Sequence, residues 1–246
     1  MASPNISFDT LPASIRKPGK YFEFNTKLAV RTLPANIQKL LLVAQRTAAG
    51  SQAPLTVVRV YSDAEAAELF GVGSQAHRMC RAAITANAYL HLSVIAVDDA
   101  EAGIAATGTI TVTGPSTGLG VVEARVAGQT VQLSVALGDT AAAIAAALAD
   151  TINGSPALPV TAAAAEGVVT LSARNKGAVG NLIPIDATAA VDGVTVTATA
   201  MKNGAVDPDI TEALAAVFAD GHHIICTPYA DQTSLTILRQ HLDAVS

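Results

Sequence analysis

The residues best suited to bind a metal are His222-His223-Ile224-Ile225-Cys226. Imidazole nitrogens and a thiolate are donors that zinc takes in tetrahedral sites. On a strand, however, His222 and Cys226 share one face and His223 takes the other. Three ligands from this run do not converge, and no second Cys/His cluster completes a site, so neither a metal nor another cofactor is expected. The run reads as a strand end entering the core, with its histidines at the rim. His77 and Cys80 stand three apart on an expected helix, with Cys80 facing the core. A cysteine nucleophile would need a base and an orienting group, and nothing in the sequence brings them together. Arg174-Asn175-Lys176-Gly177, with Gly180-Asn181, reads as a solvated turn between strands. The alternative is a contact with a neighbouring subunit or an outer-surface ligand. The cluster is too small for a nucleic-acid footprint. There is no Gly-x-x-x-x-Gly-Lys-Ser/Thr loop and no Gly-x-Ser-x-Gly elbow, and Gly71-Val72-Gly73 follows a helix where a dinucleotide fingerprint would follow a strand. No catalytic residue is assigned, and the chain does not read as an enzyme.

The elements around these residues fall into two grammars. Lys39–Gln45 is a short continuous apolar run, the pattern of a strand buried on both faces. Leu55–Tyr61 is a second strand. Ser62-Asp63-Ala64-Glu65 forms a capping box, with the Ser62 hydroxyl accepting from the N–H three residues on and Glu65 reaching back to the N–H of Ser62. The helix that follows stops at Gly71. Ser74 caps another helix over 75–87, and Leu90–Val97 is the next buried strand. After residue 206 the same grammar returns. Asp207-Pro208 sets an N-cap before a first-turn proline, and Ile210, Leu214, Val217 and Phe218 form an apolar face ending at Gly221. His222–Thr227 is a strand. Leu235, Leu238, Leu242 and Val245 then recur at helical spacing.

Between these parts, from Gly103 to about Lys202, the chain is rich in Ala, Thr, Val and Gly. Its expected strands are Gly108–Thr113, Val121–Ala127, Thr130–Val135, Val168–Ala173 and Val194–Ala200. A tight turn is expected at Gly128-Gln129. Asp139 is the expected N-cap of a helix that carries Ile144, Leu148 and Ile152 on one face and ends at Gly154. The order is β,β,β,α,β,β. The fold class is α/β: a partial, parallel-type layer of three or four strands interrupted by a small β-rich α+β domain. The expected divisions are an extended arm over 1–37, a discontinuous α/β domain over 38–100 and 206–246, and the inserted domain over 101–205. A stripe running into the last residues suggests an α/β layer cut off early.

Composition narrows the class. In 246 residues, hydrophobic types reach 50% but aromatics only 4%, with no Trp, so any core is built from small side chains. Charged residues are 14%, well below the roughly 25% usual in soluble domains, which favours a subunit that buries surface against partners. The net charge of −5 does not suit a nucleic-acid binder. No apolar run reaches the roughly 20 residues that would span a bilayer, and no signal-peptide layout begins the chain. Two cysteines, Cys80 and Cys226, fit free thiols in a reducing compartment.

The first 37 residues differ again. Pro4, Pro12, Pro18 and Pro34 prevent a long helix, and five basic residues face two acids, Asp9 and Glu23. Tyr21-Phe22-Glu23-Phe24 is a short aromatic strand-like run. The segment reads either as a solvated terminus or as an arm that orders on a neighbour by adding a strand to its sheet edge. Ile6-Ser7-Phe8, a proline, then Ile15-Arg16-Lys17-Pro18-Gly19-Lys20-Tyr21-Phe22-Glu23, followed by a polar turn, closely resembles the N-terminus of Mu-type contractile phage tail sheath proteins. The order of elements along the chain resembles that family too, whose members are about twice this length.

The resemblance implies a structural subunit of a contractile tail sheath. It implies a helical homo-oligomer of stacked rings around a tail tube protein, with baseplate and tail terminator proteins as further partners, and no direct contact with nucleic acid or membrane. It implies a place in the virion tail after synthesis in the bacterial host cytoplasm. The arm link would fall on Ile15, Arg16, Pro18, Gly19, Tyr21, Phe22, Glu23, Phe24 and Asn25. It also implies further α/β layer and a C-terminal arm beyond the present residues. A surface-exposed binding or attachment module is the alternative, opposed by the scarcity of aromatic platforms. An α/β hydrolase would be a third reading, without a motif to support it.

Overall fold

The computed structural model describes residues 18–20 and 38–245. Residues from Gln38 onward pack as one unit.

The unit begins with β1 (Lys39–Gln45), followed by β2 (Val57–Arg59), α1 (Asp63–Phe70), α2 (Gln75–Ala86) and β3 (His91–Val97). β1 and β3 are parallel along seven paired positions, from Lys39–His91 to Gln45–Val97. β2 closes one edge antiparallel to β3. Alternation sorts the side chains of β1 and β3 into two cores. Leu40, Leu42, Ala44, Leu92, Val94 and Ala96 meet α1 and α2 through Ala66, Phe70, Ala76 and Cys80. Leu41, Val43, Ile95 and Val97 face the other way, toward Ile210, Ala213, Leu214, Val217 and Tyr229. The continuous apolar runs are therefore continuous because both faces are covered.

The capping box forms with one difference. Ser62 accepts from the Glu65 N–H, but the Glu65 carboxylate reaches past Ser62 to the N–H of Tyr61 at 2.9 Å. Ser74 caps α2 by accepting from the His77 N–H.

The middle of the chain adds β4 (Ala105–Thr113), β5 (Gly120–Val126), β6 (Gln129–Val135), α3 (Ala141–Asn153), β7 (Val160–Ala165), β8 (Val168–Lys176), a 3₁₀ turn over Ala178–Leu182, β9 (Ile185–Ala190) and β10 (Thr195–Lys202). One sheet has the order β10-β4-β8-β7 and a second β6-β5-β9. With α3 they enclose a core of their own that includes Ile110, Val122, Val126, Leu158, Val169 and Leu171. Ile144, Leu148 and Ile152 are buried in it, as their spacing predicts.

Two strands here were not expected, β7 (VTAAAA) and β9 (IDATAA). Alanine has weak strand preference, so neither run announces itself. β7 forms because Glu166 and Gly167, both at positive φ, turn it back onto β8. β9 forms because it pairs with the distant β5. The β5–β6 turn lies one residue earlier than expected: Ala127 and Gly128 have positive φ and Gln129 already pairs with Val126. The N-cap of α3 is Thr140, which accepts from the Ala143 N–H. Asp139 instead accepts from the Ala136 N–H at 2.8 Å and tightens the preceding turn.

The last elements are α4 (Thr211–Ala216), β11 (Ile224–Cys226) and α5 (Gln232–Val245). α4 starts later than the Asp-Pro signal predicts, because the Asp207 carboxylate is engaged by the Val179 N–H at 3.2 Å. Asp209 accepts from the N–H and hydroxyl of Thr211, the first residue of α4. β11 pairs in parallel with Leu40–Leu42 of β1, giving the sheet order β11-β1-β3-β2.

Candidate functional site

The polar groups of the chain converge where the parallel layer meets the β-rich segment. The C-terminal ends of β1 and β3 supply Gln45 and Asp99, and the first residue of α2 supplies Gln75. From the segment, the end of β8 brings Asn175 and Lys176. Asn175 Oδ1 accepts from the Gln75 N–H at 2.9 Å, and its Nδ2 donates to Arg46 O at 2.8 Å and Asp99 Oδ1 at 3.0 Å. Asp99 Oδ2 accepts from the Lys176 N–H at 3.1 Å. Gln45 Nε2 donates to Asp99 Oδ1 and Lys176 O, both at 2.8 Å. Gln75 Oε1 accepts from the Gln45 N–H and from the Tyr229 hydroxyl, both at 3.1 Å. Burial raises the pKa of that phenol, so it stays a donor.

This cluster answers the reading of Arg174–Gly177 as a solvated turn. Arg174 Nε donates to Leu158 O at 2.8 Å, and Asn175 is the centre of the junction. Asn181, too, is bound within the segment by paired bonds with Gly204. The sequence signal was the side-chain chemistry itself: an Asn offers a donor and an acceptor at once, which suits bridging two backbones. Packing reinforces the junction. Gly73 has φ +78°, and a Cβ there would lie 2.5 Å from Pro156 O and 2.6 Å from Leu158 O. Nearby, Ile104 and Ala205 pair through two backbone hydrogen bonds, stapling the incoming and outgoing strands of the segment.

In open parallel sheets, ligands bind beyond the carboxyl ends of the strands. Here that position is occupied by Asn175 and Lys176 from the segment. A cavity of about 290 Å³ remains beside them, lined by Gln45, Gln75, Arg78, Met79 and Pro228 among others.

The other sequence-nominated residues sit apart. His77 is buried, accepts from the Gly73 N–H at Nδ1 and meets Asp63 at 3.1 Å through Nε2. Burial pushes the neighbouring Cys80 thiol up to about 12, the opposite of an activated nucleophile. His223 is tied to Lys39 by two hydrogen bonds, one at its backbone N–H and one at Nδ1. His222 lies at the rim, where burial lowers its pKa. Among the described residues no cluster of three or more His, Cys, Asp or Glu is placed to hold a metal. No helix among them is long and apolar enough to cross a membrane. Of the arm residues, Pro18 and Gly19 are exposed and belong to no helix or strand. Ile15, Arg16, Tyr21, Phe22, Glu23, Phe24 and Asn25 lie outside the described residues.

Large apolar residues are also exposed on β11, just after α4 and on α5. Ile224 of β11 is 42% exposed although it stands in a sheet. Phe218, Leu235, Leu242 and Val245 are also large, apolar and exposed. The stripe expected to bury α5 is therefore largely uncovered. Of that stripe Leu238 packs inward, together with Ile237.

No family profile matches the chain. A solved sheath tail protein from Listeria innocua matches with a TM-score of 0.31 at 12% identity, covering 87% of this chain and 46% of that one. At that distance it carries no detail of arrangement. The Mu-like prophage FluMu tail sheath protein of Haemophilus influenzae is 36% identical over 243 residues, which is 97% of this chain and 50% of that protein. The chain is thus similar in sequence, along nearly all of its own length, to a Mu-like prophage tail sheath protein, and it spans about half the length of that curated relative.

Proposed function

We propose that this chain forms part of the wall of a contractile phage tail sheath. The carrying observation is the 36% identity that runs through 97% of its residues. In this reading, residues 38–100 and 206–246 form the wall layer and residues 101–205 decorate its outside. The arm, residues 1–37, adds a strand through Ile15–Asn25 to a sheet of a neighbouring copy. At about 3.3 Å per residue, such an arm reaches tens of ångströms. The partners are further copies of the sheath protein in stacked rings, the tail tube, and the baseplate and terminator proteins. Its place is the virion tail, after synthesis in the host cytoplasm.

The work is mechanical. Main-chain hydrogen bonds from an added strand hold a link while whole domains rotate and move outward. The Asn175 junction supports this reading, because it ties the layer to the segment so that both can move as one body. The free energy would come from better packing between subunits in the contracted state, with no nucleotide consumed.

The test is immunogold electron microscopy of particles from an induced culture of the source, with antibody raised to this chain. Regular label along contractile tails is expected. Intact tails without label would remove the sheath reading.

A further inference from the structure

Among the described residues, every arginine but one is engaged. Arg46, Arg125 and Arg239 meet carboxylates, and Arg81 lies 3.9 Å from Asp63. Arg174 donates to Leu158 O, and Arg59 stands over the Tyr61 ring. Arg78 of α2 is the exception. Its guanidinium has no acceptor and no aromatic face among the described residues. Nor is it fully in water: Arg78 is partly buried, and burial together with the like charge of Arg81 lowers its pKa. A partly buried charge without a partner costs free energy that an anion would recover.

Arg78 lines the cavity of about 290 Å³ beside the Asn175 junction. Gln75, Arg78, Met79 and Ala82 follow one another at helical spacing, so one face of α2 forms a wall of it. The β-rich segment supplies further apolar wall through Pro159, Ala173 and Ile183. No Asp or Glu lines the cavity, and its charged residues are Arg78 and Lys176. The junction carboxylate, Asp99, is already taken up by Asn175, Gln45 and the Lys176 N–H. Gln45 also lines the cavity, and its Oε1 is buried with no hydrogen-bond partner among the described residues. The wall therefore holds a cation and an acceptor that the fold itself leaves unmatched.

The walls choose among anions. A phosphate calls for several backbone donors. Here the Gly73, Gln75 and His77 N–H groups at the start of α2 are already given to His77, Asn175 and Ser74. What remains is one guanidinium fork, which matches one carboxylate, and apolar walls around it. An apolar cavity of about 150 Å³ holds a benzene, so the present one has room for a ring or branched chain with an acidic group. We propose that this cavity binds a carboxylate on a short apolar stem, anchored by Arg78, with Met79, Ala82 and Ile183 against the stem. The carboxylate belongs to a free organic acid or to a second copy of this chain, and the two sources are separable. The proposal goes beyond the sheath reading and does not rest on it.

The probe is phenylacetate, titrated into the 246-residue chain, with phenylethanol as the uncharged control. Saturable amide shifts at Arg78, Met79 and Asn175 are expected with the acid, and binding at least tenfold weaker with the alcohol. Arg78→Gln should weaken acid binding at least tenfold and leave the urea midpoint unchanged or raised, because it removes an unpaired charge. A lowered midpoint would overturn the reading of Arg78 as unpaired. Arg78→Lys keeps the charge without the fork and should recover part of the affinity. Sedimentation of the chain alone separates the sources. Self-association that Arg78→Gln abolishes and phenylacetate competes away assigns the carboxylate to a second copy. A monomer that binds the probe assigns it to a free acid. No saturable shift together with no Arg78-dependent association overturns the proposal, and so does equal binding by the alcohol or by Arg78→Gln.

Discussion

The parallel layer and the β-rich segment are made from similar small apolar residues, yet one is closed and the other open. In the segment, two sheets and α3 surround one core; of its exposed large apolar residues, Leu119 and Leu137 lie outside the helices and strands, Leu182 ends the 3₁₀ turn and Val121 lies on β5. In the layer, β1 and β3 are covered on both faces, but among the described residues the sheet ends at an uncharged β11 paired with β1 alone. A closed core is a finished object. An open edge with apolar residues around it is half of an interface. The comparison teaches that the segment is self-sufficient and the layer asks for a partner, while the junction makes them one body.

The sharpest way to break the comparison is to attack either closed core. Leu148→Ala, at a fully buried position, should cost about 2–5 kcal/mol. Urea unfolding followed by probes in both regions should show one coincident shifted transition. Two separate transitions would mean that the regions are independent. Next comes the junction. Gly73→Ala must hold φ +78° and push against Pro156 O, so a loss of at least about 1–2 kcal/mol is expected from the left-handed backbone alone. Asn175→Ala strands the Gln75 N–H and the Arg46 carbonyl and should cost about 1–3 kcal/mol, with the two regions beginning to unfold apart. Retention of full stability in both variants would remove the junction as a coupling element.

A smaller effect tests the corrected cap. Thr140→Ala should cost about 1 kcal/mol through the lost N-cap. Asp139→Ala should act on the Ala136 turn and leave α3 helicity in place. Smallest of all, Leu242→Lys should stay within about 0.5 kcal/mol, since that side chain is exposed at the surface.

Acid should act on the open side of the layer. Burial lowers the pKa of both His222 and His241 from 6.5. The unfolded chain then binds their protons first, so their contribution is intact above about 6.5 and is lost as pH falls from there toward the folded values. His222→Gln with His241→Gln should flatten the pH dependence of stability in that window. An unchanged slope would place the acid sensitivity elsewhere.

How much of this was legible differs by element. The buried runs Lys39–Gln45 and Leu90–Val97, the caps Ser62 and Ser74, and the Ile144, Leu148, Ile152 face could be read directly, because each depends on neighbours a few residues away. The Ala-rich β7 and β9 could not, because alanine states no preference and pairing with β8 and β5 decided it. Asn175 was read as surface because its partners lie 76 to 129 residues away in the chain. Leu235, Leu238, Leu242 and Val245 were legible as a helical stripe, but the face that would pack was not. Periodicity reports that a face is apolar and says nothing of what meets it.

By itself, then, the sequence determined the local grammar: which runs are buried strands, where helices begin and stop, and, through its N-terminal pattern and element order, its likeness to the sheath proteins. Only the tertiary structure decided which edges pair, that Asn175 and Asp99 join two regions, and that β11 ends its sheet among the described residues. Caps and periodicities arise from contacts within a turn or two of the chain. Sheet order, junctions and open edges arise from contacts between residues that the sequence keeps far apart.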